Sequence, residues 1–207
     1  SALFFVRRVM NEYDGLPARK NYSSTRMTVM NGNPTVPAPV NEPILTYGPG
    51  TPERTELHTE LEVQSTTVVD IPLVIGGKEI RTGNTSNVVM PHVHSHILAT
   101  VHQAGKEEIA QAVSAAAEAH NEWSTTRWED RAAIFLRAAD LLAGPWRQKL
   151  NAATMLGQSK TAFQAEIDSA CEIIDFFRFA AHFAERIYGM QPLSEPGVWN
   201  RAEYRAL

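Results

Sequence analysis

The segment from residue 164 to residue 189, QAEIDSACEIIDFFRFAAHFAERIYG, repeats apolar or small residues with the period of an α-helix. The repeat alternates steps of four and three and falls on positions 163, 167, 170, 174, 177, 181, 184 and 188. Such a stripe covers one helix face for about seven turns, so we predict a long helix that buries this face. Thr161 and Gln164 predict a capping box at its start, and Gly189 predicts its end.

Upstream of this helix, residues 41–104 predict one helix and several strands. Proline at position 52 suits the first turn of a short helix. The stretch IPLVIGGKEI, residues 71–80, predicts a hairpin that turns at Gly76 and Gly77. The stretch NTSNVVMPHVHSHILATVHQA predicts further strands, interrupted by Pro91.

After Gly105 the pattern changes to helix. The stretch KEEIAQAVSAAAEAHNEWS places one apolar face on Ile109, Ala112, Val113, Ala116, His120 and Trp123. A second helix is predicted from a capping box of Thr126 and Glu129 up to Gly144-Pro145, and a third ends at Gly157. With the strands, these helices predict an α/β fold.

Composition excludes several classes of protein. The 207 residues carry a net charge of −4, which does not favour a general nucleic-acid binder. One cysteine cannot form an internal disulfide or a thiolate zinc site. No apolar run approaches the roughly 20 residues that a membrane-spanning helix needs, so we expect no membrane insertion.

Residues 1–40 differ in composition from the rest of the chain. They contain two acidic residues against five basic ones, which are Arg7, Arg8, Arg19, Lys20 and Arg26. Ser, Thr, Asn and Pro are also frequent there, so we predict a disordered arm or a mitochondrial presequence. Residues 41–207 then form the folded part. Because the chain starts at Ser1 and stops at Leu207 without a terminal tail, we expect a fragment of a longer protein.

The single cysteine, Cys171, lies in the middle of the predicted long helix. Reactive cysteines usually sit at a helix N-terminus or beside a cation, where the thiolate is stabilised. Here Glu172 is adjacent, and Asp168 and Asp175 are one turn away on either side. Negative neighbours disfavour a thiolate, so we predict a buried, space-filling residue rather than a nucleophile.

Two further motifs are candidate sites: a cluster of three histidines and a glycine-containing turn. In a strand His92, His94 and His96 share a face, and three imidazoles can hold a metal ion. No further ligand follows at a suitable spacing, so we predict no metal. The stretch GQSKT, residues 157–161, lacks the frame of a phosphate loop and predicts a helix stop followed by a helix start.

An acidic stripe lies on the long helix, with Asp168, Glu172 and Asp175 at positions i, i+4 and i+7. Such a stripe is usually a solvated helix face. The alternative is that one carboxylate meets a cationic group of a substrate. Residue chemistry alone leaves both open and provides no complete active site.

From Asn41 to Leu207 the chain resembles the amino-terminal third of the aldehyde dehydrogenases, in particular the branch that oxidises L-glutamate γ-semialdehyde. The stretches that carry the resemblance are NEPILTYGPGTPER, DRAAIFLRAADLLAGPWR, TMLGQSKTAFQAEIDSACEIIDFFRFAAHFA, QPLSEP and YRAL. The resemblance implies a truncated α/β fold, with helices and the start of a Rossmann-like NAD-binding domain. It also implies that residues after Gly189 begin the strands shared with an oligomerisation flap.

The resemblance implies a chemistry as well. In this family a cysteine attacks the aldehyde, hydride passes to NAD, and a glutamate activates the water that releases the acid. It implies glutamate semialdehyde as a small-molecule substrate, L-glutamate as product in proline catabolism, a homo-oligomer, most simply a dimer, and the mitochondrial matrix.

The resemblance also implies which residues this chain contributes. The family's catalytic and NAD-binding residues lie beyond the equivalent of Leu207, so none is assigned here, and the chain alone is expected to be inactive. Glu172 is the residue implied in the substrate tunnel, where its carboxylate attracts the α-ammonium group of the semialdehyde. The alternatives are an aldehyde dehydrogenase of another subfamily, or a shortened interaction module without catalysis.

Overall fold

A computed structural model of the chain describes residue 32 and residues 34–205. Most of the arm or presequence predicted for residues 1–40 therefore lies outside the described residues. Residues 34–48 carry no regular secondary structure, although several of them contact the helices, as described below.

The first half of the fold is one helix followed by short strands. Its elements are α1 (Pro52–Thr66), β1 (Val69–Ile71), β2 (Leu73–Ile75), β3 (Lys78–Ile80), β4 (Thr85–Met90) and β5 (Val93–His102). Strands β1, β5 and β4 form a sheet in that order, in which β1 is parallel and β4 antiparallel to β5. The predicted hairpin is confirmed: β2 and β3 pair antiparallel and turn at Gly76 and Gly77, whose φ angles of 54° and 84° favour glycine.

The second half is helical. Its elements are α2 (Lys106–Thr125), α3 (Trp128–Ala143), α4 (Arg147–Gln158), α5 (Ala162–Ala165), a π turn (Glu166–Cys171) and α6 (Glu172–Gly189). Helices and strands together confirm the α/β prediction. Among the described helices, none combines the length and the apolar character that a membrane span requires.

The apolar face predicted for α2 is present but is not covered by the part of the chain that the structure describes. Ile109 and Val113 are 57% and 66% exposed. The periodic pattern predicted the helix correctly, whereas burial of the predicted face stays a prediction, because a pattern carries no information on the partner that covers a face.

One of the two predicted capping boxes forms. Thr161 Oγ1 accepts a hydrogen bond from the Gln164 N–H at 3.3 Å, and the Thr161 N–H donates to Gln164 Oε1 at 3.0 Å. The box predicted for Thr126 and Glu129 is wrong. Thr126 instead closes α2, since its hydroxyl donates to the Glu122 carbonyl at 2.9 Å, while Glu129 pairs with Arg127 at 3.0 Å.

The main core lies where α6 packs against α3 and where the π turn packs against α3 and α4. Its fully buried members include Ala139, Ala170 and Ile174, with Leu142 and Trp146 beside them. The predicted stripe is confirmed at positions 170, 174 and 181, which are buried.

The stripe prediction is wrong before the π turn. Phe163 is 62% exposed, whereas the fully buried positions there are Ala165 and Glu166. A π turn holds one more residue than an α-helical turn, so the buried face shifts along the sequence at this point.

Residues 190–205 form a loop rather than the strands that the resemblance implied. The Gln191 side chain closes this loop by accepting from the Ala202 N–H at 2.9 Å and donating to the Ala202 carbonyl at 3.3 Å. Within the described range, which ends at residue 205, no strand follows α6. Strand pairing needs a partner strand, and the loop satisfies its own backbone groups instead.

Candidate functional site

A strap of chain, residues 36–47, crosses the last helices. Three of its backbone N–H groups donate to helix carboxylates: Val36 to Glu185 at 2.6 Å, Glu42 to Asp175 at 2.7 Å and Leu45 to Glu166 at 2.8 Å. The strap therefore runs antiparallel to α6. Because no strand among the described residues pairs with the strap, these carboxylates take the place of a sheet partner. Hydrogen bonds to charged acceptors are also stronger than neutral ones.

Glu166, the first residue of the π turn, is completely buried. Its carboxylate accepts hydrogen bonds from the Tyr47 hydroxyl at 2.7 Å, from Asn151 Nδ2 at 2.8 Å and from the guanidinium of Arg147. Burial alone would raise the pKa of Glu166, but these bonds and the Leu45 N–H outweigh it and hold the pKa below its ordinary value. The buried carboxylate is therefore charged and fully paired.

Arg147 connects this carboxylate to the strap. Its guanidinium also donates to Glu42 and, at 2.7 Å, to the Pro43 carbonyl. Arg178 donates to the second oxygen of Glu42 at 2.6 Å. Burial would lower the pKa of Arg147, but the hydrogen bonds to Glu166 and Glu42 raise it above its ordinary value. The carboxylates of Glu42 and Glu166 thus neutralise the guanidiniums of Arg147 and Arg178 beneath the strap.

Cys171 lies against the same pair. Its sulfur is 3.5 Å from Arg147 Nη2 and 3.7 Å from Glu166 Oε1, and the residue is 6% exposed. Burial, together with the negative charge of Glu166, raises the pKa of the Cys171 thiol to about 11. The structure therefore agrees with the prediction of a buried, protonated thiol that is unsuited to nucleophilic attack.

A groove of about 700 Å³ opens above Cys171. Asn41 and Ile44 of the strap form one wall, and Phe176, Phe179 and Phe183 of α6 form the other. Apolar walls with a few polar groups are the usual composition of a small-molecule site.

The three acids of the predicted stripe all line this groove, but their partners differ. Asp168 pairs with Lys160 at 2.8 Å. Asp175 accepts from Asn41 Nδ2 and from the Glu42 N–H, both at 2.7 Å. Glu172 is exposed, and within the described part of the chain its carboxylate has no hydrogen bond or ion pair. Of the three carboxylates, Glu172 is the one that is open to a ligand.

The remaining candidates do not converge on this groove. His92 Nδ1 lies 2.7 Å from Ser159 Oγ, whereas His96 Nε2 lies 2.8 Å from the Ser65 carbonyl. Lys160 of the GQSKT motif is held by Asp168. Among residues 34–205, no three side chains of His, Cys, Asp or Glu are grouped as a metal site would require.

Sequence reasoning missed the buried network of Glu42, Arg147 and Glu166. One signal was available for Glu166, since position 166 lies three residues after position 163 and four before position 170 of the apolar stripe. A charged residue at a buried helix position needs a charged partner. That partner, Arg147, belongs to another helix, and no spacing rule identifies it.

The chain matches the aldehyde dehydrogenase family over residues 80–207, and it belongs to that family. Its relatives include the delta-1-pyrroline-5-carboxylate dehydrogenase of Agaricus bisporus, which is 49% identical over 174 residues, or 83% of this chain and 32% of the relative. The mitochondrial protein of the same name from Homo sapiens is 44% identical over 167 residues, or 81% of this chain and 30% of the relative.

Solved structures that resemble the chain carry the same protein name as these relatives. The delta-pyrroline-5-carboxylate dehydrogenase of Mycobacterium tuberculosis is 51% identical, with a TM-score of 0.84 over 86% of this chain and 33% of that one. The same protein has also been crystallised with NAD, at a TM-score of 0.83 over 85% of this chain and 33% of that one. The chain spans about a third of the length of the relatives that it matches. The predicted family is therefore confirmed.

Proposed function

We propose that this chain is the amino-terminal part of an NAD-dependent L-glutamate γ-semialdehyde dehydrogenase. The full-length protein would oxidise the semialdehyde, the ring-opened form of Δ1-pyrroline-5-carboxylate, to L-glutamate in proline catabolism. The supporting observation is the 51% identity and TM-score of 0.84 with the Mycobacterium tuberculosis protein. Fold alone would not carry this proposal, because one fold serves many functions.

The reaction requires groups that we do not assign to this chain. A thiolate must attack the aldehyde carbon, and NAD, when bound, accepts the hydride. Cys171 does not fit the first role, because its thiol is buried and its pKa is about 11. The sequence contains no GxGxxG motif that would fit the pyrophosphate of NAD. Both functions are therefore proposed for the part of the full-length protein outside this chain, which spans about a third of the length of its relatives.

The contribution that we propose for this chain is one side of the substrate site. Glutamate semialdehyde has an aldehyde at one end and an α-ammonium group and a carboxylate at the other. The unpaired carboxylate of Glu172 suits the ammonium group, and the three phenylalanines suit the methylene chain. A charge-assisted hydrogen bond of this kind contributes about 1.5–3 kcal/mol, which corresponds to roughly 10- to 140-fold in affinity.

The experiment uses the full-length enzyme. NADH formation is followed with glutamate semialdehyde and with glutarate semialdehyde, which is the same molecule without the ammonium group. We expect Glu172→Gln to raise KM for the first substrate at least tenfold and to leave KM for the second unchanged. Glu118→Gln is the matched control, because Glu118 is an exposed helix carboxylate outside the groove lining.

Two results would contradict the proposal. Absence of NADH formation with glutamate semialdehyde, or a preference for simple aliphatic aldehydes, would exclude this substrate. An unchanged KM in Glu172→Gln would remove Glu172 from the substrate site while leaving the reaction intact. Residues 1–207 alone are expected to form no NADH with either substrate.

We also propose that the full-length enzyme is a homodimer in the mitochondrial matrix. The support for the compartment is that relatives from Homo sapiens and Dictyostelium discoideum are named mitochondrial. Light scattering of the purified enzyme gives the oligomeric state. Protease protection in isolated mitochondria, with and without opening of the inner membrane, separates the matrix from the other compartments.

A further inference from the structure

The π turn determines which way Glu172 faces. Successive residues of an α-helix are rotated by about 100°, and a π turn inserts one additional residue into the helix. Everything after Cys171 is therefore rotated by about 100° relative to an uninterrupted α-helix. In the observed arrangement Cys171 faces Arg147 and its neighbour Glu172 lines the groove.

Tertiary contacts hold the turn. A π turn is rare and disfavoured by itself, so something outside the helix must stabilise it. Glu166 at its start is 0% exposed and is held by Arg147, Tyr47 and Asn151. Ser169 in the middle of the turn shares a 2.8 Å hydrogen bond with Thr154 of α4. Glu166 cannot rotate away without leaving the Arg147 charge under-paired in the interior.

From this arrangement we infer that Glu166 is a positioning residue for Glu172. Its bonds to Tyr47 and Arg147 hold the π turn, and the turn directs the Glu172 carboxylate into the groove. The inference rests on the proposed role of Glu172 in binding the ammonium group. Glu166 itself does not touch the substrate, since it is fully buried beneath the strap.

Tyr47→Phe is the most informative perturbation. It removes the hydroxyl that lies 2.7 Å from Glu166 Oε2, 3.0 Å from Gln148 Oε1 and 2.8 Å from Asn151 Nδ2. It keeps the aromatic ring, which packs against Leu57 and Ala152. Glu166→Gln is more direct, but it leaves a buried guanidinium under-paired and endangers folding. Tyr188→Phe is the matched control, because it likewise removes a tyrosine hydroxyl that bonds a charged side chain: this hydroxyl accepts from the Arg131 guanidinium at 2.7 Å and lies outside the groove lining.

The test is a double-mutant cycle in the full-length enzyme, with KM measured for glutamate semialdehyde and for glutarate semialdehyde. We expect Tyr47→Phe to raise KM for glutamate semialdehyde about threefold without changing KM for glutarate semialdehyde. This is less than the loss of a whole charge-assisted bond, because Arg147 and Asn151 still hold Glu166. In the Glu172→Gln background Tyr47→Phe should have no further effect, because two residues that act through one interaction are not additive. Tyr188→Phe should change neither KM.

The outcomes separate the inference from the proposed function. If Glu172→Gln has no selective effect on glutamate semialdehyde, both are overturned. If Glu172→Gln is selective but Tyr47→Phe raises KM for both substrates equally, only the positioning role is overturned. The positioning role is also overturned if the effects of Tyr47→Phe and Glu172→Gln on KM multiply in the double variant. It is overturned as well if Tyr188→Phe raises KM selectively for glutamate semialdehyde. Thermal unfolding of each variant establishes that it is folded.

Discussion

Glu166 and Cys171 are five residues apart, yet both side chains contact the guanidinium of Arg147, and a sulfur–oxygen distance of 3.7 Å separates them. In a regular α-helix, residues with this spacing point in clearly different directions, because five steps of about 100° exceed one turn by a large angle. The π turn brings them to one side. The buried pair, the strap and the orientation of the groove therefore depend on one local change of helix geometry.

The buried carboxylate predicts a pH-dependent stability. We expect Glu166→Gln to lower the free energy of unfolding by about 3 kcal/mol at neutral pH, because it leaves Arg147 under-paired. In the folded protein the pKa of Glu166 lies below its ordinary value. The stabilisation is then fully present above the unfolded pKa of about 4.3, and it is lost as the pH falls through the lower folded-state pKa.

Urea unfolding of the full-length enzyme and of Glu166→Gln, from neutral pH down to about pH 3, measures this difference. The gap between the two midpoints should stay constant near neutrality and shrink in acid. A gap that persists unchanged into acid would show that the charge of Glu166 is not what stabilises the fold.

Replacement of Asp175 is expected to loosen the strap locally. Asp175→Ala removes two hydrogen bonds, each 2.7 Å long, that hold Asn41 and Glu42 against the helix. We expect faster proteolysis within residues 34–42 and a loss of about 1–3 kcal/mol in stability. Asp168→Ala is the control, since its exposed pair with Lys160 contributes about 0–1 kcal/mol. Equal protease sensitivity of both variants would contradict a specific anchoring role.

The Cys171 thiol is expected to be alkylated slowly in the folded enzyme. With a thiol pKa of about 11, only about one molecule in a thousand carries a thiolate at pH 8. We expect iodoacetamide to modify Cys171 about a hundredfold more slowly in the folded enzyme than in urea. Peptide mapping by mass spectrometry follows this residue separately from other cysteines. Similar rates in both states would mean that the thiol is accessible and ionised.

Truncation of Ile174 is expected to leave a cavity in the core and to lower the free energy of unfolding. It is fully buried against Ala139, Leu142 and Trp146. We expect Ile174→Ala to lower the free energy of unfolding by about 2–5 kcal/mol and Ile174→Val by about 0.5–1.5 kcal/mol. Denaturant unfolding of both variants provides the comparison. Equal losses would contradict a tightly packed environment, in which the loss grows with the volume removed.

Local chemistry made much of the fold predictable. The turn at Gly76 and Gly77 follows from the backbone freedom of glycine, and the cap formed by Thr161 and Gln164 follows from their spacing. The π turn was not predictable in this way, because the partners that hold it, Tyr47 and Arg147, are 119 and 19 residues away from Glu166. Periodicity assumes a constant helical pitch, and it fails where tertiary contacts change the pitch.

The candidate site was also predictable only in part. The spacing of three acids identified a stripe, but it did not distinguish Glu172 from Asp168 and Asp175. The distinction comes from their neighbours: Lys160 is eight residues from Asp168, whereas Asn41 is 134 residues from Asp175. A distant partner of that kind leaves no trace in the local sequence.

The strap has a consequence for the order in which the protein is assembled. Its contacts join residues that are 119, 133 and 149 positions apart, from Tyr47 to Glu166, Glu42 to Asp175 and Val36 to Glu185. A nascent chain leaves the ribosome from its amino terminus, so the strap is synthesised long before the helices that receive it. Closing such long loops is also slow relative to forming helices. A segment that is made early is therefore docked among the last, and until then it is open to chaperones and proteases.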